Sequence, residues 1–295
     1  MTYNRRSFLL NGSLILLGSQ VIGRSTLLWG QDETVSSEPT HRIALLTDMH
    51  YADKEPRGTR FYRETLDKFD EAAKKYQELK PDFLVELGDI VDAAETVEEE
   101  LGYLKTINEK LSKVTEDRHY VLGNHCVYTL TKDEFLGEVG KEKSYYSFDN
   151  KGWHFIILDA CFRPDEVPYG RKNYDWTAPY IPTAELEWLK GDLGETDKPT
   201  IVFTHQRLDV ENHYGVNNSP AVRKVLEESG KVQAVFQGHS HKNEHVELNG
   251  IHYCVLAAMI EGSGMENNSY SSLEIFQDGT LKINGFRQQK PYAWS

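Results

Sequence analysis

Short apolar runs and amphipathic stretches alternate along much of the chain. "RIALLT" at 42–47 is rich in leucine and ends at the polar Asp48, as a buried strand does where it meets solvent. In "FYRETLDKFDEAAKKYQEL" at 61–79, Tyr62, Leu66, Phe69, Ala73 and Tyr76 recur at steps of four and three. That spacing predicts an amphipathic helix with one apolar stripe. Pro81 stops it, and "DFLVEL" at 82–87 reads as a second strand. A helix over about 97–113 and a third strand, "RHYVL" at 118–122, follow. Strand and helix in alternation predict parallel strands joined by crossover helices.

After residue 143 the texture changes. "SYYSFDN" and "WHFIILDA" face each other across a turn at "KGW", the pattern of an antiparallel hairpin. "TAELEWLKGDL" at 183–193 predicts a helix with Thr183 as its N-cap. "PTIVFTH" (199–205) and "VQAVFQGHSH" (232–241) read as buried strands, with the helix "PAVRKVLEES" (220–229) between them. The chain closes on short strands: "HVEL", "IHYCVLAA", "SSLEIFQDG" and "LKINGF". With no internal repeat and no second boundary, one mixed α/β domain is expected over residues 41–287, with 288–295 as a tail.

Composition changes this picture at the N-terminus. "NRRSFLLNGSLILLGSQVIG" pairs Arg5 and Arg6 with Ser7, Phe8 and Leu9 ahead of a modestly apolar stretch. It resembles a twin-arginine export signal over residues 1–30, which implies the export machinery as a partner and a periplasmic or cell-envelope destination. Polar residues from Asn11 to Gln20 break the run too often for a membrane span. No small-x-small cleavage site stands near residues 20–35, so cleavage is left open, and "QDETVSSEPT" (31–40) reads as a linker. The net charge of −13, from 46 acidic against 33 basic residues, opposes binding to nucleic acid or to an anionic membrane surface. It does not oppose phosphate substrates, because bound cations reverse the local potential. Cys126, Cys161 and Cys254 are odd in number and lack CxxC spacing, so they read as small buried residues with at most one disulfide among them.

The candidate chemistry lies at the strand ends. The first strand is followed by Asp48-Met49-His50 and the second by Gly88-Asp89-Ile90-Val91-Asp92. The third is followed by Gly123-Asn124-His125; "TIVFT" leads to His205, and "VQAVFQ" to Gly238-His239-Ser240-His241. Any one of these fragments is an ordinary turn or a hydrogen-bonded rim residue. Together they place an N or O donor at the carboxyl end of each of five strands, and in an open α/β sheet those ends form one crevice. Imidazole, carboxylate and amide oxygen without thiolate suit Mn²⁺, Fe²⁺ or Zn²⁺. Two such ions roughly 3.5–4 Å apart clamp a phosphoryl group, and a single carboxylate such as Asp89 can bridge them.

Asp48-x-His50, Gly88-Asp89-x-x-Asp92, Gly123-Asn124-His125, His205 and Gly238-His239-x-His241 resemble the signature of the calcineurin-like metallophosphoesterases. The resemblance implies a four-layer sandwich of two mixed β-sheets flanked by helices. It implies one metal held by Asp48, His50, Asp89 and His241, and a second held by Asp89, Asn124, His205 and His239. A metal-bridging hydroxide would attack phosphorus in line, with His125 protonating the leaving group. Cys126 departs from the family pattern, which has Asp or Glu there to orient the preceding imidazole. Either another acid substitutes or His125 is less basic; a redox role for Cys126 is the minor alternative. Asp92 stands where purple acid phosphatases carry a ferric-binding Tyr, which argues against a Tyr–Fe³⁺ site.

"DMHYADKEPRGTRFYRETL", "YYSFDNKGWHFIILDA" and "GHSHKNEHVELNGIHYCVLAAMIEGSG" further resemble the manganese-dependent ADP-ribose/CDP-alcohol diphosphatase branch. On that likeness Tyr51, Arg57, Arg60 and Tyr62 are candidates for substrate contact; separately, "NHY" at 212–214 and the pair Asn217-Asn218 are candidates for a mobile rim. The expected activity is hydrolysis of nucleotide-type phosphodiesters or diphosphates. The alternatives are a broad phosphomonoesterase and a non-catalytic, metal-bound scaffold for a phosphorylated partner.

Overall fold

The computed structural model describes residues 38–295. The export-signal expectation at 1–30 and linker residues 31–37 lie outside the described residues. No helix among the described residues is long and apolar enough to cross a membrane.

In chain order the elements are β1 (His41–Leu46), α1 (Thr65–Leu79), β2 (Phe83–Glu86), α2 (Val97–Leu111), β3 (Arg118–Tyr120) and α3 (Lys132–Val139). Then come β4 (Tyr146–Asn150), β5 (Trp153–Ile157), α4 (Thr183–Glu195), β6 (Thr200–Phe203), α5 (Ser219–Ser229) and β7 (Val232–Gln237). The chain closes with β8 (Glu244–Leu248), β9 (Ile251–Val255), β10 (Ser269–Ile275), β11 (Leu281–Arg287) and β12 (Tyr292–Trp294). One six-stranded sheet has the order β12-β11-β10-β1-β2-β3 and the other β4-β5-β6-β7-β9-β8.

Both sheets are mixed. β1, β2 and β3 run parallel, as do β5, β6, β7 and β9, while the remaining pairings are antiparallel. The period-two alternation of side chains makes four layers of this arrangement. In β1, Ile43 and Leu45 point between the sheets to meet Phe155, Phe203 and Phe236. Ala44 and Leu46 point the other way, into the layer of Phe69 and Tyr76 of α1 and Leu104 and Ile107 of α2. On the far side Ile156, Val202 and Val235 cover Leu189 and Leu193 of α4 and Val222 and Leu226 of α5. Each fully buried side chain of this size contributes about 1.5–3 kcal/mol. The result is the α/β four-layer sandwich expected above.

Three local expectations change. Pro182, not Thr183, occupies the N-cap of α4, and the Thr183 hydroxyl instead donates to Glu166. The short α3 was not anticipated, although Thr131 and Glu134 form a reciprocal capping box at its start. The segment expected as a tail carries β12, which pairs with β11 and lays Trp294 across His245 and His252.

Candidate metal centre

The parallel strands deliver their carboxyl ends to one rim. Asp48 follows β1, Asp89 follows β2, Asn124 lies past β3, His205 follows β6, and His239 and His241 follow β7. Three glycines allow the close approach, because a Cβ at each would strike its neighbour. At Gly88 it would lie 2.6 Å from His205 Nδ1, at Gly123 2.2 Å from Asp89 Oδ1, and at Gly238 2.6 Å from Asp48 Oδ2. Asp48, His50, Asp89, His239 and His241 all have φ between 45° and 67°. Holding non-glycine residues there costs about 1–3 kcal/mol each, a cost the surrounding structure must override.

Each donor is aimed by a bond on its other side. Asp48 Oδ2 accepts from Thr47 Oγ1 at 2.7 Å and from the His239 amide at 3.0 Å, leaving Oδ1 to face the cavity. Asp89 Oδ1 accepts from the His125 amide at 2.7 Å. Its Oδ2 lies 3.6 Å from His50 Nε2 and 3.1 Å from His205 Nε2, between the two groups of histidines. His205 Nδ1 contacts the Leu87 carbonyl at 2.8 Å, and His241 Nδ1 contacts Glu261 Oε1 at 2.6 Å. Such bonds fix the tautomer and turn Nε2 toward a ligand.

Asp48, His50 and His241 converge as one cluster and Asp89, His205 and His239 as another, while His50, Asp89 and His125 form a third grouping that overlaps both. His50 Nε2 and His241 Nε2 approach to 3.2 Å, and His241 Nε2 lies 3.3 Å from Asp48 Oδ1. Asp48 Oδ1, Asn124 Oδ1, His205 Nε2 and His239 Nε2 are buried without a hydrogen-bond partner, a costly state for polar atoms. Buried donor atoms converging in two sets around one carboxylate fit two divalent cations, and no thiolate stands among them.

The electrostatics are those of a buried, mutually dependent charge cluster. Burial works against ionising Asp48 and Asp89, yet the histidines around each outweigh it and hold both well below the usual carboxylate range. Burial would also lower His205 and His241, but the carboxylates, Asp89 and Asp48 for the first and Asp48 for the second, carry each to about 9. His239 has burial and His205 against it and drops to about 3.

Around this floor is a cavity of about 490 Å³, lined among others by Arg60, His125, Trp176, Tyr214 and Glu261. His125 Nδ1 lies 2.5 Å from Asp92 Oδ1, a close ion-pair contact although its angle is not that of an aligned N–H···O bond. Asp92 Oδ1 also reaches to 3.5 Å of His50 Nδ1, and its Oδ2 takes Lys54 Nζ at 3.1 Å. Asp92 is therefore the carboxylate that faces the His125 imidazole, where Cys126 supplies none. The Cys126 thiol is fully buried, and burial, with Asp89 adding, pushes it well above the ordinary thiol range. A protonated, inaccessible thiol is unsuited to redox chemistry.

Of the four residues put forward for substrate contact, Arg60 alone lines the cavity. Tyr51 and Tyr62 are corrections: both rings belong to the core beneath α1 and α2, with Tyr51 against Tyr103. Arg57 is exposed, its backbone pairs with that of Arg60 in a tight turn, and it is not among the residues that line the cavity. Tyr214 of the "NHY" rim does reach the cavity, its ring 5.9 Å from that of His239. Trp176 escaped the sequence reading because it sits in an irregular stretch between β5 and α4 with no motif around it. Its ring is 43% exposed and lies 5.7 Å from His239 and 6.0 Å from Tyr214. Glu261, which also lines the cavity, lies outside every motif of the sequence signature.

Comparison with known proteins agrees with this geometry. A family model described as calcineurin-like phosphoesterase matches residues 41–243. The manganese-dependent ADP-ribose/CDP-alcohol diphosphatase of Xenopus laevis is 22% identical, over 82% of this chain and 86% of the relative. The 3',5'-cyclic adenosine monophosphate phosphodiesterase of Haemophilus influenzae is 24% identical, over 84% of this chain and 86% of that protein. Among solved structures, a dimetal phosphatase from Danio rerio superposes with a TM-score of 0.76 at 19% identity, covering 87% of this chain and 99% of the other.

Proposed function

Because this chain belongs to the calcineurin-like phosphoesterase family, a family of metal-dependent phosphoester hydrolases, we propose that it cleaves nucleotide-type diphosphates or phosphodiesters. The observation that carries the substrate class is the pairing of a cation with an aromatic wall above the donor clusters. Arg60 faces the cavity as a phosphate partner, and Trp176 and Tyr214 offer flat surfaces on which a base can stack. The volume suits a ligand of nucleotide size. The curated relatives named for ADP-ribose/CDP-alcohol and cyclic-nucleotide hydrolysis support the same class.

Asp48, His50, Asp89 and His241 would hold one cation, and Asp89, Asn124, His205 and His239 the other. When bound, the cations supply charge neutralisation for the phosphoryl oxygens and acidify water. His125 stands at the cavity wall with Nδ1 facing Asp92, so Nε2 is left to donate a proton to the departing oxygen. Thr47 and the His239 amide keep Asp48 aimed while this happens.

The test is turnover of ADP-ribose, bis-p-nitrophenyl phosphate and p-nitrophenyl phosphate by one preparation whose metal content is measured. Preference for the first two with Mn²⁺ supports the reading. Preference for the monoester would instead make it a broad phosphomonoesterase, and metal binding without any turnover would make it a scaffold. Export by the twin-arginine route forms part of the proposal and is supported by the "RRSFLL" stretch. The mass of the mature N-terminus in cell-envelope fractions tests it.

A further inference from the structure

Glu261 reaches His241 from an irregular segment, in which its backbone makes an isolated antiparallel bridge to Arg60. Between the end of β9 at Val255 and the start of β10 at Ser269 the chain runs irregularly past the cavity. Its backbone is pinned from the cavity side, where Met259 N donates to the Thr47 carbonyl at 3.2 Å, Ile260 N to Asp48 at 3.1 Å and Gly262 N to Thr59 at 2.8 Å.

The other side is held by α1. Lys68, on the buried face of that helix, is completely inaccessible. Its Nζ donates to the carbonyls of Met259 at 2.9 Å, Glu261 at 2.9 Å and Gly262 at 2.7 Å. An ammonium has three donors, and all three are spent on this one segment. One turn earlier, the carboxylate of Glu64 accepts from Ser263 Oγ at 2.9 Å and Gly264 N at 2.7 Å. Asn268 Nδ2 donates back to the Lys68 carbonyl at 2.8 Å.

Burying an ammonium is expensive, and an apolar side chain on the same stripe would serve packing alone. What the cation adds is a three-point grip on peptide carbonyls that an apolar side chain would leave without this donor. That grip sets where the Glu261 side chain leaves the backbone, and hence its 2.6 Å contact with His241 Nδ1.

We propose that Lys68 is a positioning residue for the site of Asp48, His50, Asp89 and His241, acting through the 259–262 carbonyls to seat Glu261 against His241. The inference rests on the two-cation reading above. Lys68 touches neither substrate nor the reacting atoms. Its effect is to keep the His241 ring in one orientation, so that the cation meets a preformed ligand.

The experiment titrates Mn²⁺ into the full chain and counts sites and affinities. Wild type is expected to take two ions. In an Asn124→Ala background, which isolates the site in question, Glu261→Gln and Lys68→Met are each expected to weaken Mn²⁺ about 10–100-fold. Combining them should cost little more than either alone, because both act on one orientation. In a His241→Ala background, which retains the other site, Lys68→Met should leave affinity unchanged; a merely structural lysine would weaken both sites. Should Lys68→Met fail to fold, Glu64→Gln loosens the same segment from a half-buried position and should weaken the first site selectively. Two ions in wild type with unchanged affinity in these variants overturns the role of Lys68 and leaves the two-cation reading standing. No stoichiometric Mn²⁺ in wild type overturns both.

Discussion

At the scale of single residues the site depends on atoms that cannot be moved by a few tenths of an ångström. Gly123→Ala would set a Cβ 2.2 Å from Asp89 Oδ1, against an oxygen that already accepts the His125 amide. Bound metal and activity should fall together in that variant while the helical content seen by circular dichroism persists. Asp89→Ala should cost most, because both donor clusters lean on this carboxylate, and elemental analysis should show both ions lost. Asp92→Asn removes the charge that faces His125 Nδ1, and kcat should fall about 10²-fold at nearly unchanged KM. The loss should be larger for an alkyl leaving group than for p-nitrophenolate, which departs without a proton. Equal losses on both would mean that Asp92 acts through His50 instead. In the sequence Asp92 is visible as part of the Gly88-Asp89-x-x-Asp92 motif and as the residue where a purple acid phosphatase has Tyr, with no partner assigned to it. Its role emerged when the turn after β2 brought it against His125, more than thirty residues further on.

At the scale of elements, the cavity walls come from stretches between the regular pieces. Trp176 and Tyr214 belong to loops that precede α4 and α5, and no periodicity marks them. Trp176→Ala should raise KM for ADP-ribose about 2–10-fold, the loss of one stacking contact, with little change for glycerol phosphate. Similar shifts on both substrates would remove the aromatic wall from the binding argument. The strand ends were far more legible than the loops. Apolar runs of four to six residues stopped at polar donors beside glycine, and parallel order gathered those ends on one side. By contrast Tyr51 and Tyr62 were candidates for the cavity only through the likeness to the ADP-ribose/CDP-alcohol diphosphatase branch. Tyr51, bridged to Val91, and Tyr62, just ahead of α1, both bury their rings in the core.

At the scale of the whole molecule, folding and titration are linked through buried imidazole. His119 lies under the edge of one sheet, its ring stacked on Phe148 at 3.7 Å and its Nδ1 2.9 Å from the Tyr146 hydroxyl. Burial, with Lys141 adding, lowers it from 6.5 to about 3, even though the half-exposed Asp117 carboxylate lies 3.2 Å from Nε2. Since the unfolded chain binds the proton more readily, this contribution to stability is complete above pH 6.5 and is lost as pH falls toward 3. Urea unfolding of the metal-free protein should show stability dropping between about pH 7 and pH 5, and His119→Gln should flatten that slope. A slope unchanged by the substitution would mean that other groups carry it.

What the sequence determined by itself was the identity and order of the donors. Which residue types end each strand, and the glycines that let them approach, are local properties written in consecutive residues, and so is the alternation that builds two sheets between helices. Which carboxylate steadies His125, which tyrosines turn inward, and how Lys68 reaches the segment behind His241 were decided only by the tertiary structure. Those contacts join residues whose separation along the chain carries no periodic signal, and their distances exist only once the sheets have packed and the loops have closed over them.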